Sequence, residues 1–202
     1  MSVWGPRRAG PGIERAFFFF RTLCTLCAML TNRKILLWLI PILFALHNVE
    51  EALFMKPTLA AAKNGLPRFM RILLPPVSYE QFMISLIVVT IAAFLFAAFG
   101  RLDRPHGPGV YLLVGLQVVL FLNAFAHLVS AVMLDGYSAG LGTALAVNLP
   151  FSLLIFWQAL KQRWVSGSIF AAMFPVGLFV LGPILFGILF FSGILARALF
   201  PG

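Results

Sequence analysis

Charged residues are scarce in this chain. Of its 202 residues only 10% are charged, whereas 61% are hydrophobic and the mean hydropathy is +1.00. A soluble domain usually has about 25% charged and about 45–50% apolar residues. A chain of this length could not hide so much apolar surface in an aqueous core, so lipid must be its solvent. The composition therefore predicts an integral membrane protein.

Cysteine is almost absent as well. The only two, Cys24 and Cys27, have the spacing C-x-x-C. A structural zinc site would need a second pair of ligands, and a thioredoxin-type motif would need a neighbouring βαβ pattern. The sequence contains neither, so we interpret this pair as two small apolar residues one helical turn apart.

Acidic residues number six against fifteen basic ones, which gives a net charge of +9. The basic residues do not cluster as a nucleic-acid-binding patch would. They lie between apolar runs, where positive charge orients helices and contacts anionic headgroups. We therefore exclude nucleic acid as a partner and expect the lipid bilayer to be the main one.

Five apolar segments are long enough to cross a bilayer, which takes about 20 helical residues. They are Ile35–Met55, Phe82–Phe99, Val110–Leu134, Leu141–Leu160 and Ile169–Phe200. The last is too long for one upright helix, and Pro175 and Pro183 would kink it or divide it into a span and an interfacial piece. The predicted fold is an all-α, polytopic transmembrane helical bundle with five spans, and six spans are the alternative.

The chain divides into three predicted parts. Residues 1–34 form a basic, interfacial extension without a cleavable signal, since the apolar Phe17–Phe20 is followed at once by Arg21. Residues 35–160 form a four-span membrane domain, and residues 161–202 form a C-terminal membrane segment. A basic connection, residues 56–81, joins the first two spans.

The basic residues divide unequally between the two membrane faces. With five spans, ten of them share the side of the N-terminus and five lie on the other side. Cytoplasmic loops carry the excess of Lys and Arg. The sequence therefore predicts a multi-pass protein of the plasma or inner membrane, with a cytoplasmic N-terminus.

Two spans carry polar residues at helical spacing. His47, Glu50 and Glu51 lie at i, i+3 and i+4 in the first span, and Asn123 and His127 lie at i and i+4 in the third. Such residues share one side of a helix. A carboxylate at membrane depth costs a few kcal/mol on insertion scales, so these side chains need an explanation. We expect all five to be catalytic.

The alternating directions of the spans place these residues near the same membrane face. Five more polar or turn-forming residues are expected there, as substrate-binding or supporting groups: Tyr137, Gly140, Thr143, Asn148 and Glu80. The convergence predicts one shared site. A structural alternative remains for each residue, because glutamates near a helix end can reach the headgroups and an Asn–His pair can hold two helices together.

Three motifs resemble those of a known family. They are His47-Asn48-Val49-Glu50-Glu51, then Asn123-x-x-x-His127, then Tyr137-x-x-Gly140-x-x-Thr143. In this order and placement they resemble the HXXEE family of integral membrane proteins, over residues 35–160. The third motif departs from the family's Tyr-x-Pro-Gly-x-x-Thr, since Ala139 stands where proline is expected. The resemblance implies a membrane-embedded protein with enzymatic activity, and it supplies no substrate.

The ionisable residues favour an enzyme that acts on a lipid-like or other apolar substrate. Two imidazoles and two carboxylates suit a divalent transition metal such as zinc, iron or manganese, and the predicted ligands are His47, Glu50, Glu51 and His127. Alternatively, one glutamate and His127 form an acid–base pair without metal. A proton-coupled transporter and a non-enzymatic membrane subunit are the alternative functions. Nothing in the sequence specifies an oligomer.

Overall fold

The computed structural model describes residues 31–65 and 77–200, and for residues 63–65 it describes the backbone alone. The predicted interfacial extension therefore lies almost wholly outside the described residues, as do residues 66–76 of the connection between the first two spans. Nothing in the described ranges tests the division into three parts.

Five helices in the described ranges are long and apolar enough to cross a membrane. They are α1 (Arg33–Gly65), α2 (Tyr79–Phe99), α3 (Pro108–Met133), α4 (Leu141–Lys161) and α5 (Gly167–Leu199). The same ranges contain no β-strand. The structure confirms the predicted all-α, multi-pass membrane fold.

The helices begin at residues that can satisfy free backbone N–H groups. Ser78 caps α2, and Gln81 bonds back to it in a capping box. Ser166 caps α5 by accepting a hydrogen bond from the N–H of Ile169. Pro108 is the first residue of α3, a position that needs no N–H donor. These three helices begin within three residues of their predicted starts.

The predicted end of the first span was wrong. Helix α1 continues from Met55 to Gly65. The predicted span ended at Met55, and the next two residues are the charged Lys56 and the helix breaker Pro57. In the structure the Lys56 ammonium lies 4.6 Å from the centre of the Tyr79 ring, and the Thr58 hydroxyl donates to the carbonyl of Phe54. Lys56 thus has a partner on α2, and Pro57 lies inside the helix without ending it.

Helix α5 is continuous, so it is not divided into a span and an interfacial piece. A π-helical turn, Val180–Ile184, contains Pro183. Proline has no N–H to donate to the preceding turn, and a π turn is one way to absorb the mismatch. The first half of α5 packs against α3 and the second half against α2.

The apolar core and the buried ionisable residues occupy different halves of the bundle. The apolar core lies toward the start of α1 and the end of α4, and includes Leu36, Ile40, Val114, Ile155 and Trp164, all 0% exposed. The other half holds the buried polar residues His47, Glu51, His127 and Asn148. Large apolar side chains cover the outside of every helix, where lipid is the solvent.

Candidate functional site

Three ionisable side chains converge between α1 and α3. His47 and Glu51 lie one turn apart on α1, and His127 faces them from α3. The Oε1 atom of Glu51 lies 3.2 Å from Nε2 of His127 and 3.8 Å from Nε2 of His47. All three residues are buried, with His47 fully enclosed. We call these three residues the His–Glu cluster.

The spacing of the His–Glu cluster suits a metal ion. One ligand atom from each residue lies within 4.8 Å of the others. Ligands about 2.1 Å from a tetrahedral zinc are separated from one another by about 3.4 Å. The two oxygen-to-nitrogen distances, 3.2 and 3.8 Å, lie on either side of that value. The three side chains could therefore hold one ion with little movement.

Thr143 orients the ring of His47. The Nδ1 atom of His47 lies 2.8 Å from the Thr143 hydroxyl oxygen, and that hydroxyl donates to the carbonyl of Gly140. The hydroxyl oxygen therefore accepts from Nδ1–H. This tautomer leaves the lone pair on Nε2, which faces the cluster, as a metal ligand requires. Thr143 takes the supporting role predicted for it.

Glu50 lies outside the His–Glu cluster. Its carboxylate accepts hydrogen bonds from the backbone N–H of Gly142 at 2.9 Å and of Thr143 at 2.6 Å. The Tyr137 hydroxyl donates to the same carboxylate. Glu50 thus binds the start of α4, where a negative charge is favourable. The structure does not bring this predicted ligand together with the other three.

Tyr137 lies on the connection between α3 and α4, outside the spanning segments. Desolvation raises the pKa of its hydroxyl, and so does its hydrogen bond to the Glu50 carboxylate. Its ring also packs edge-on against Phe54, with ring centres 5.3 Å apart. The phenol thus joins the connection to α1 by one polar and one apolar contact.

Gly140 covers the His–Glu cluster. A Cβ atom at this position would lie 2.8 Å from Cγ of Glu51 and equally close to Cε1 of both His47 and His127. Its φ angle is +85°, a left-handed conformation that glycine adopts easily. No larger residue fits here. The connection between α3 and α4 therefore closes over the cluster.

The alanine in the third motif has a structural explanation. The backbone N–H of Ala139 donates to the Thr58 hydroxyl oxygen at 3.0 Å. A proline at this position could not donate. Next to it, Ser138 donates to the hydroxyl oxygen of Ser130 at 3.2 Å. The turn is thus held to α1 and α3 by hydrogen bonds.

Asn148 is 1% exposed and lies in the π-helical turn of α4, Ala144–Asn148. Neither polar atom of its side chain has a hydrogen-bond partner in the described part of the chain. A buried polar group without a partner is costly, and such groups are often hydrated. This predicted site residue therefore makes no side-chain hydrogen bond to the His–Glu cluster.

Among the buried polar residues that were not predicted, Gln117 and Ser152 form a chain of hydrogen bonds. Gln117 of α3 donates to the Ser152 hydroxyl at 2.7 Å, and that hydroxyl donates to the carbonyl of Asn148 at 2.6 Å. Gln117 and Ser152 are both fully buried. The spacing i, i+4 between Asn148 and Ser152 was visible in the sequence. Serine and glutamine carry no charge, so they give only a weak signal inside an apolar segment.

Glu80 lies elsewhere, in the wall of a cavity of about 700 Å³ between the start of α2 and the end of α5. The same wall includes Ser78, Gln81, Gly193 and Arg197 but no member of the His–Glu cluster. Glu80 was expected in the shared site because its helix begins at the same membrane face. Its position on α2 turns it toward α5 instead.

The comparisons with known proteins agree with the three motifs. The family described as proteins of unknown function with an HXXEE motif matches residues 38–155. An uncharacterised protein of Bacillus subtilis (strain 168), YrkK, is 31% identical over 146 residues, which cover 70% of this chain and 87% of that protein. No solved structure matches the chain at a significant level. The chain belongs to the HXXEE family.

Proposed function

We propose that this protein is a membrane-embedded, metal-dependent enzyme that acts on a lipid-like or other apolar substrate. The observation that carries the proposal is the His–Glu cluster, in which His47, Glu51 and His127 converge within 4.8 Å in a buried site. A divalent transition metal would also compensate the negative charge of Glu51, which is costly at this depth.

The types of ligand in the His–Glu cluster narrow the range of metals and reactions. Two imidazoles and one carboxylate bind zinc in hydrolytic enzymes and iron(II) in oxygenases. Bound there, the metal would polarise a substrate oxygen or lower the pKa of a water molecule. The protein's own residues orient the imidazole of His47, through Thr143, and cover the site with Gly140.

The position of the site favours a substrate from the bilayer. The His–Glu cluster lies between spanning helices whose outer faces are apolar, with Val49 and Leu53 exposed on the opposite side of α1 from His47 and Glu51. Glu50 and Tyr137 form the more open edge, near the start of α4. An amphipathic molecule could place its polar group at this edge and keep its chains in lipid.

Metal analysis tests the proposal. The detergent-purified protein, prepared without chelators, is expected to carry about one transition metal ion per chain. The variant His47→Ala/His127→Ala should lose it. His106→Ala is the matched control, because His106 lies exposed in the connection between α2 and α3. Metal absent from the wild type, or retained by the double variant, contradicts the proposal.

Proton-coupled transport is the second candidate. The distance of 3.2 Å between Glu51 and His127 also suits a shared proton. Gln117, Ser152 and Asn148 extend the buried polar residues further into the bundle. Absence of metal together with proton flux in proteoliposomes, lost in Glu51→Gln, would favour this function over the enzyme.

The cytoplasmic N-terminus remains a proposal based on the ten-to-five division of basic residues. With five spans, a cytoplasmic N-terminus puts the C-terminus outside the cytoplasm. The end of the bundle where Gly140 covers the His–Glu cluster would lie on the same outer side. Alkaline phosphatase fused after Gly202 should then be active in a bacterial host. An active green fluorescent protein at the same position, with an inactive phosphatase, would reverse the orientation.

A further inference from the structure

Asn123 lies between the two histidines of the His–Glu cluster. Its Nδ2 atom is 2.9 Å from Nε2 of His127 and 3.3 Å from Nε2 of His47. The Nε2 lone pair of His47 faces inward, because Thr143 holds the proton on the opposite nitrogen. The amide of Asn123 therefore contacts a ring atom that would bind the metal.

Four side-chain atoms together have the dimensions of a coordination shell. The amide lies 2.9 and 3.3 Å from the two imidazole nitrogens, and the Glu51 oxygen lies 3.2 and 3.8 Å from the same two atoms. These four of the six separations among the atoms scatter around about 3.4 Å, the separation between ligands of a tetrahedral ion. The amide thus lies at ligand distance from both imidazole nitrogens.

We infer that Asn123 is the fourth metal ligand and binds through Oδ1. An amide nitrogen has no free lone pair to donate, whereas the amide oxygen is a good ligand for hard divalent cations. A half-turn about the terminal side-chain bond exchanges the two atoms, and that torsion has two broad, nearly equivalent minima. The inference rests on the proposed function, because it assigns a ligand to the same metal.

This assignment replaces the predicted fourth ligand, Glu50. The carboxylate of Glu50 already accepts two backbone hydrogen bonds at the start of α4. The resulting shell has two neutral imidazoles, one carboxylate and one amide oxygen. Four protein ligands would complete the shell of a tetrahedral zinc ion. A substrate or water molecule would then reach the metal by adding a fifth ligand.

Cobalt(II) titration of the metal-free, detergent-purified protein tests the inference, with visible absorption reporting the geometry of the bound ion. Asn123→Leu, which removes both polar atoms, should weaken cobalt binding more than 100-fold and change the absorption bands. Asn123→Asp should bind at least as tightly as the wild type, because a carboxylate keeps an oxygen ligand. Asn48→Leu is the matched control, since Asn48 is buried on the same helix as His47 but bonds to Thr90.

The aspartate variant separates a ligand from a supporting hydrogen-bond donor. If Asn123 acted only by donating its N–H groups to the histidines, Asn123→Asp would lose both donors and bind cobalt more weakly than the wild type. That result, or unchanged binding in Asn123→Leu, overturns the inference while leaving a three-ligand site intact. Failure of the wild type to bind cobalt overturns the proposed function as well. Size exclusion in detergent verifies that each variant is folded.

Discussion

The carboxylates of Glu50 and Glu51 are adjacent in the sequence but serve different parts of the molecule. Glu51 lies 3.2 Å from His127 inside the bundle, whereas Glu50 accepts the backbone N–H of Thr143 at 2.6 Å. Consecutive residues on a helix point about 100° apart, so one glutamate faces α3 and the other faces the start of α4. The pair of acids in the family motif therefore combines a member of the His–Glu cluster with a residue that binds the start of α4.

Replacing each glutamate separately should have different effects. Glu51→Ala is expected to lose the bound metal, because it removes a ligand. Glu50→Ala should keep most of the metal but lower the free energy of unfolding by about 1–3 kcal/mol, since the N–H groups of Gly142 and Thr143 lose their acceptor. Metal content and unfolding in a denaturing detergent measure the two effects. Equal metal loss in both variants would contradict this division of roles.

Gly140→Ala should damage the site. The added methyl group would meet three members of the His–Glu cluster at 2.8 Å, and a φ of +85° is strained for alanine by about 1–2 kcal/mol. We expect metal affinity to fall more than tenfold. Gly115→Ala is the control, because a methyl group at Gly115 in the middle of α3 meets nothing within 4 Å. An unaltered metal affinity in Gly140→Ala would show that the connection does not close over the cluster.

Ala139 and Thr58 should be coupled energetically. Their hydrogen bond joins the connection before α4 to the extended end of α1. Thr58→Val should lower the free energy of unfolding by about 1 kcal/mol in the wild type. The same change should have a smaller effect in Ala139→Pro, where the donor is already missing and only the bond to the Phe54 carbonyl is lost. A double-mutant cycle measures the coupling, and additive effects would argue against the bond.

Tyr137 should show a raised pKa in a spectroscopic titration. Because the folded-state pKa lies above the usual value of about 10, the neutral phenol stabilises the fold at lower pH. That contribution is complete below pH of about 10 and disappears as the pH rises through the folded-state pKa. Tyrosinate absorbance should lose its highest-pH component in Tyr137→Phe. The chain has only two other tyrosines, so the component is resolvable. If the titration step lost in Tyr137→Phe had a pKa at or below about 10, it would contradict the environment described for Tyr137.

Hydropathy and segment length were enough to predict the membrane class and the five helices. Both are properties of contiguous residues, and lipid requires every spanning segment to satisfy its own backbone hydrogen bonds. Helical spacing likewise placed Glu51 beside His47 and His127 beside Asn123. The end of α1 was missed because hydropathy falls at Lys56, although the backbone remains helical to Gly65.

Contacts between residues far apart in the sequence could not be read from spacing. The rotation of α1 assigns Glu51 to the His–Glu cluster and Glu50 to α4, and the rotation of α2 turns Glu80 toward α5. The position of Gly140 over the cluster depends on how α3, its connection and α4 pack against α1. A period of 3.6 residues defines which side chains share a helix face, whereas the partner of that face depends on how the helices pack together.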